Sequence, residues 1–201
     1  TRFDSSATQK LLDKARIRVP PLEDYAWRLW DYWERHLDPD LSIDRSLKGA
    51  VKGKVVVITG GSSGIGEAAA IRIADAGGKV LIVARDEEKL AEVRKTITDR
   101  GGYAKTYSCD ITDYAANDRL ARDILKEFGA VDILINNAGR SIRRSINLSY
   151  DRFHDFERTI QLNYFACVRL TMNLLPAMTA RKSGHIVNIS SIGVLTNAPR
   201  F

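Results

Sequence analysis

Cysteine is scarce in this chain, histidine is scarce, and long apolar runs are missing. The two cysteines, Cys109 and Cys167, form no C-x-x-C pair, and the three histidines, His36, His154 and His185, have no metal-ligand spacing among themselves or with the cysteines. A disulfide framework and a structural zinc site are therefore not expected, and each thiol reads as a small buried apolar group rather than a reactive one. With no secretory leader visible, this cysteine usage points to a reducing, cytoplasmic compartment. No apolar run approaches the roughly 20 residues of a membrane helix, so a soluble protein without a transmembrane segment is expected. A block of one charge is absent too. The 31 basic and 25 acidic residues are scattered, and the net charge of +6 reads as modest attraction for anionic ligands rather than as a nucleic-acid surface. There is no internal repeat. Asn147-Leu148-Ser149 and Asn188-Ile189-Ser190 fit the glycosylation pattern, but the second falls in an expected buried strand and both are discounted.

Around Lys54 to Gly66, K-V-V-V-I-T-G-G-S-S-G-I-G, the sequence becomes informative. Val55, Val56, Val57, Ile58 and Thr59 suit a strand buried on both faces of a parallel sheet. Gly60, Gly64 and Gly66 then open a helical segment, giving strand, tight turn and helix in that order. Glycine lets the main chain approach a pyrophosphate closely, and the helix start offers unpaired N–H groups and a positive dipole end. This predicts a dinucleotide-binding turn, with Ser62 and Ser63 donating to phosphates rather than acting as nucleophiles, since no base is placed beside them.

At 201 residues and 44% hydrophobic, the chain has room for one core and an appendage. Residues 1 to 51 read as a helical connector or extension: a helical stretch ending at Pro20-Pro21, and a second helix from Leu22 whose residues Leu22, Ala26, Leu29, Trp30, Trp33 and Leu37 form one stripe edged by Tyr25. Asp38-Pro39-Asp40 is expected to stop that helix, and residues 41 to 53 read as linker. The compact domain is expected over 52 to 201.

Within it, strands are expected at 79 to 85, 103 to 108, 131 to 136 and 185 to 190, separated by helices over 86 to 97, about 114 to 128 and 150 to 180. Strict alternation of strand and helix predicts an α/β doubly wound parallel sheet, with ligands at the carboxyl ends of its strands. At the end of the second strand, Ala84 and Arg85 occupy the corner that faces the adenosine ribose, where an arginine suits a 2′-phosphate and a carboxylate a free 2′-hydroxyl. NADP is favoured over NAD. Asp86 complicates this, although an acidic residue also suits the helix N-terminus that follows. Asn136 and Asn137 at a strand end are expected to tie neighbouring strands or touch the cofactor.

Over residues 52 to 201 the chain resembles the short-chain dehydrogenase/reductase family. Thr59-Gly60-Gly61-Ser62-Ser63-Gly64-Ile65-Gly66 is similar to its T-G-x-x-x-G-I-G cofactor turn, Asn136-Asn137-Ala138-Gly139 to its N-N-A-G, and Asp110 stands where the family contacts adenine. The resemblance implies a Rossmann fold truncated after about its fifth strand. It implies NADP(H) bound by Gly60, Ser62, Ser63, Gly64, Ile65, Gly66, Arg85, Asp110, Ile111, Asn137, Ala138 and Gly139. By the same resemblance Ser191 is the catalytic serine on the substrate oxygen, and Asn163 supports a proton-relay water. None of the seven tyrosines has a lysine four residues later, so the family's Tyr-x-x-x-Lys is lacking. Its spacing would place that pair just past Phe201, and the chain, which begins without methionine, reads as an internal piece of a longer polypeptide that is inactive alone.

Within the family, N-N-A-G-R-S-I-R-R, F-H-D-F-E-R-T-I-Q-L-N-Y-F and I-S-S-I-G-V-L-T-N-A-P-R-F resemble bacterial fatty acyl-CoA reductases. That implies an acyl-CoA substrate reduced to an aldehyde, a possible preceding domain in the same chain, and Arg140, Arg143 and Arg144 at the mouth of the site. These arginines either pair with coenzyme A phosphates or are solvated or paired with Asp151, Asp155 or Glu157. A 3-oxoacyl or ketone reductase and a non-catalytic nucleotide-binding domain are the alternatives. A homo-oligomer through the long helix is the expected assembly.

Overall fold

The computed structural model describes residues 6–18, 20–36, 44, 46–142 and 144–191. The chain divides into two units, Thr1–Ile43 and Asp44–Phe201. The first carries α1 (Ser6–Lys14) and α2 (Leu22–His36). Taken by itself, this unit leaves the expected stripe open: Leu22, Leu29 and Trp30 are each more than half exposed. Trp30 donates its indole N–H to Glu34 at 2.7 Å and its ring lies 5.5 Å from that of Trp33. Leu37 and the Asp38-Pro39-Asp40 stop lie outside the described residues.

The second unit opens with α3 (Leu47–Val51), a short helix within a stretch read as linker. Its start is fixed by Ser46, whose hydroxyl accepts from the Gly49 N–H, and its end by burial of Val51 in the core. Short periodicity with one apolar anchor gives no helical stripe to read. Then come β1 (Val55–Thr59), α4 (Gly64–Asp75), β2 (Lys79–Ala84), α5 (Glu87–Asp99), β3 (Tyr103–Ser108), α6 (Tyr114–Phe128) and β4 (Ile133–Asn136). A 3-10 turn (Ile146–Leu148), α7 (Phe153–Ile160), a π-helical segment (Gln161–Ala166), α8 (Cys167–Ala180) and β5 (His185–Asn188) complete it. The parallel sheet has the order β3-β2-β1-β4-β5, as expected of a doubly wound fold.

Every residue of β1 is buried because its two faces belong to two cores. Val55 and Val57 pack with Leu120 and Ile124 of α6 and Leu170 and Leu174 of α8. Val56 and Ile58 pack with Ala70 and Ile73 of α4 and Leu90, Val93 and Ile97 of α5. Alternation along a strand sends neighbours to opposite faces, and helices cover both. At the amino ends of the strands, Asp132 accepts from the Val55 N–H at 2.8 Å and from Arg181 at 3.1 Å, tying β1, β4 and the end of α8 together.

The last strands are shorter than expected: β4 starts at Ile133 rather than Val131, and β5 ends at Asn188, where the β4–β5 register itself ends. The long helix starts at Phe153 rather than Tyr150, after the 3-10 turn, and it is not one regular helix. Its middle winds as a π segment, which apolar periodicity cannot reveal.

Candidate functional site

β2 and β3 lie on one side of β1 and β4 and β5 on the other, so strand order reverses at the carboxyl ends of β1 and β4. Such a switch point leaves a crevice for a ligand. The glycine turn leaves β1 here, with Gly60 at φ +66° and Gly64 at φ +58°. A Cβ on Gly60 would stand 2.8 Å from the Ala138 Cα, and one on Gly66 would stand 2.3 Å from the Gly60 carbonyl oxygen. Side chains at these two positions would fill the turn. At Gly64 nothing lies within 4 Å, so the strain of its backbone is met with open space in front of it.

Thr59 organises the junction. Its hydroxyl, 2% exposed as a residue, accepts from the backbone N–H of Asn137 at 3.1 Å and of Ala138 at 3.0 Å. Asn137 returns the tie, its carboxamide donating to the carbonyls of Thr59 and Gly60, each at 3.0 Å. The N-N-A-G stretch is therefore bolted to the glycine turn, and the side chain of Asn137 is spent on that bolt. The role of Thr59 was missed in the sequence; the signal available was a lone hydroxyl closing an apolar strand. Asn136 serves the other neighbour, donating to Asn188 at 2.9 Å and to Thr171 at 3.2 Å.

The ends of β2 and β3 bring Arg85 and Asp110 together. Their charged groups lie 3.9 Å apart, both well exposed. Asp110 also accepts from the N–H and hydroxyl of Thr112 at 2.9 and 2.7 Å, while Ile111 turns into the core. Asp86 is the N-cap of α5, accepting from the Lys89 N–H at 3.1 Å, which pulls its carboxyl below the usual range. Ser63 caps α4 by position, with no side-chain hydrogen bond to the helix.

Beyond β4 the crevice widens into a cleft of about 1340 Å³, into which Ile65, Gly139, Arg140, Asn163 and Ser191 all face. Asn163 sits in the π segment and holds the backbone of Arg140 with both ends of its carboxamide. Cys167 lines the same cleft, and burial pushes its thiol up, as it does that of Cys109, which keeps both protonated near neutrality. Arg140 and Arg144 differ in their surroundings. Arg144 is held by Asp155 at 2.5 Å, together with Arg152 at 2.8 Å. Those two arginines, with His154 adding a weaker pull, lower the Asp155 carboxyl to about 2. The Arg140 guanidinium is exposed, with no ion pair among the described residues. Arg143 lies outside the described residues. Among them no cluster of histidine, cysteine and carboxylate side chains is suited to a metal ion, and no helix is long and apolar enough to cross a membrane.

The chain is similar in sequence and in fold to known proteins. Among curated relatives, the chain is 61% identical over 151 residues to a fatty acyl-CoA reductase of Acinetobacter baylyi, covering 75% of this chain and 51% of that protein. It is 45% identical over 164 residues to a fatty acyl-CoA reductase of Mycobacterium tuberculosis, covering 81% of this chain and 56% of the relative. The chain thus spans about half the length of the curated relatives it matches. Among solved structures, a metagenomic short-chain oxidoreductase in complex with NADP superposes with a TM-score of 0.67 at 37% identity, over 71% of this chain and 64% of that one. An NAD+-bound xylitol dehydrogenase gives 0.69 at 28% identity, over 74% of this chain and 57% of the other. The sequence model described as short chain dehydrogenase matches residues 54–201, the stretch that runs from the first strand through the glycine turn, N-N-A-G and Ser191, so the chain belongs to the short-chain dehydrogenase/reductase family.

Proposed function

We propose that this chain is the nucleotide-binding part of an NADPH-dependent reductase that converts a fatty acyl-CoA thioester to the aldehyde. One observation carries the reading: the glycine turn locked by Asn137, the Arg85–Asp110 corner, and a cleft that holds Asn163 and Ser191 lie together along the carboxyl ends of one sheet. The turn fits a dinucleotide, because Gly60 and Gly66 are packed to contact where a side chain would intrude while Gly64 faces open space. Gly60, Ser62, Ser63, Gly64, Ile65 and Gly66 would hold the pyrophosphate, Arg85 the 2′-phosphate, and Asp110 and Ile111 the adenine. When bound, the cofactor supplies hydride.

The chain's own residues bind and orient. In this reading Ser191 donates its hydroxyl hydrogen to the substrate oxygen, where negative charge develops. Asn163 fixes the wall that carries Arg140, and the exposed guanidinium of Arg140 attracts a coenzyme A phosphate at the cleft mouth. Arg144 is less suited to that role, since it is already engaged by Asp155, which it shares with Arg152. The reading assigns no proton donor from a Tyr-x-x-x-Lys pair within these 201 residues, and it predicts no turnover by them alone. It further takes residues 1–51 as a connector to a preceding domain, α7–α8 as a homo-oligomer contact, and the cytoplasm as the compartment.

The test is NADPH oxidation with a long-chain acyl-CoA, with the aldehyde trapped as a hydrazone, using the polypeptide as the cell makes it. Trapped aldehyde in step with NADPH loss is the expected result. Turnover of 3-oxoacyl or simple ketones without thioester reduction would replace this substrate with the other reductase class, and tight NADPH binding without any turnover would leave a nucleotide-binding module.

A further inference from the structure

Asn117, on α6, is fully buried and belongs to none of the groups assigned above. Its carboxamide nitrogen donates two hydrogen bonds to separate parts of the site. One goes to the Ile111 carbonyl at 3.0 Å, in the turn where Asp110 faces Arg85. The other goes to the Ala166 carbonyl at 3.1 Å, at the end of the π segment that carries Asn163. A parallel tie runs alongside: Gln161, at the start of that segment, donates to the Thr112 carbonyl at 3.2 Å and accepts from the Tyr114 hydroxyl at 3.4 Å.

The residue type is informative. The Asn117 carbonyl oxygen accepts no hydrogen bond among the described residues. A buried acceptor left unpaired is destabilising, and an apolar side chain of similar size would avoid it, so what the position gains from asparagine is two donor hydrogens. The element it grips is wound as a π helix. A π segment relaxed to ordinary i→i+4 pairing shifts by one residue, about 100° around a helix of 3.6 residues per turn, and would swing Asn163 off the Arg140 backbone.

We propose that Asn117 is a positioning residue that couples occupancy of the adenosine end of the cofactor crevice to the π segment Gln161–Ala166, so that nucleotide binding fixes Asn163 and, through it, the backbone of Arg140. The proposal rests on the reading above that Arg85 and Asp110 hold the adenosine end. The Asn117 and Gln161 hydrogen bonds are the contacts through which the adenosine end would bias the segment, and relaxation to α pairing is the second state that the proposal requires.

Adenosine 2′,5′-bisphosphate is the probe, because it occupies only the adenosine end and has no nicotinamide to reach Asn163. Amide hydrogen exchange is followed with and without it in this chain and in Asn117→Val. In the unmodified chain the probe is expected to slow exchange over residues 108–112 and, by roughly fivefold, over 161–168 and at Arg140. In N117V the protection of 108–112 persists and the effect on 161–168 disappears. A purely structural asparagine would raise exchange of the π segment equally with and without probe. Probe-induced protection of 161–168 undiminished in N117V overturns the proposal. If N117V does not fold, Asn117→Ser, with a single donor hydrogen that cannot hold both carbonyls, is read by the same criterion. No protection at 108–112 in the unmodified chain would instead overturn the adenosine-end reading and the coupling with it, so the two failures are distinct.

Discussion

Asn163 closes on the backbone of Arg140 from both sides, accepting its N–H at 2.9 Å and donating to its carbonyl at 2.8 Å. The carboxamide thereby pairs with the backbone just after β4, and it sets where the cleft wall runs. Asn163→Ala removes both bonds and should lower stability by about 1–2 kcal/mol. Asn163→Asp keeps an acceptor for the N–H but no donor for the carbonyl, and should fall between. Urea midpoints at fixed slope measure this, and equal stability of all three proteins would mean the clamp is not formed in solution.

The glycine turn and the parallel sheet were legible in the sequence because each rests on residue type at a fixed place, Gly60 and Gly66 where no Cβ fits and apolar runs where two helix layers cover a sheet, whereas Asn163 and Ser191 were singled out by the family resemblance alone. What escaped were relationships between elements. Nothing near Asn117 in sequence marks it as a bridge to Ala166, 49 residues later, and the π winding leaves the apolar pattern of α7 and α8 intact. Arg144 shows the limit in another way. Arg140 and Arg144 look alike in sequence, and only the fold brings Asp155 against Arg144.

Arg85 stands 76% exposed by side chain, its guanidinium pointing toward Asp110 but too far for a strong pair. Its loose, solvent-exposed pairing with Asp110 leaves it able to take a phosphate. Arg85→Ala should weaken NADPH binding by about tenfold or more, the worth of one charged hydrogen bond, while NADH changes by less than about threefold. Fluorescence titration with both nucleotides decides it, and equal losses would remove Arg85 from 2′-phosphate recognition.

Acid should loosen the region around α7 and α8 at a predictable pH. Asp118 is lowered from 3.8 to about 2, chiefly by its hydrogen bonds from Arg169 and then Asn173; Asp155 is lowered to about 2 by Arg144 and then Arg152. Because the folded-state values lie below the unfolded ones, both contributions are complete above about pH 4 and fade as pH falls toward 2. Thermal melting across that range should drop steeply in the unmodified chain and less steeply in Asp118→Asn and Asp155→Asn, both of which melt lower at pH 7. Parallel curves for all three would show that other carboxylates govern acid unfolding.

Two glycines of one turn should respond differently to alanine. At Gly66 the added methyl would lie 2.3 Å from the Gly60 oxygen and 2.5 Å from the Asn137 nitrogen, so the turn and its bolt must both move. Overpacking of this kind costs about 1–3 kcal/mol, and since the displaced atoms belong to the proposed pyrophosphate cradle, nucleotide affinity should fall by at least about tenfold. At Gly64 there is space for the methyl, and the penalty is the backbone alone, φ +58°, worth about 1–2 kcal/mol for a non-glycine residue. Gly64→Ala should therefore lose stability with Asn137 still in place, whereas Gly66→Ala should also free the Asn137 carboxamide. The side-chain amide resonances of Asn137 separate the two cases, because a freed carboxamide exchanges with solvent and a bolted one does not. Retention of the bolted signal in Gly66→Ala would show that the turn yields elsewhere, and that Asn137 holds it less tightly than its two 3.0 Å bonds imply.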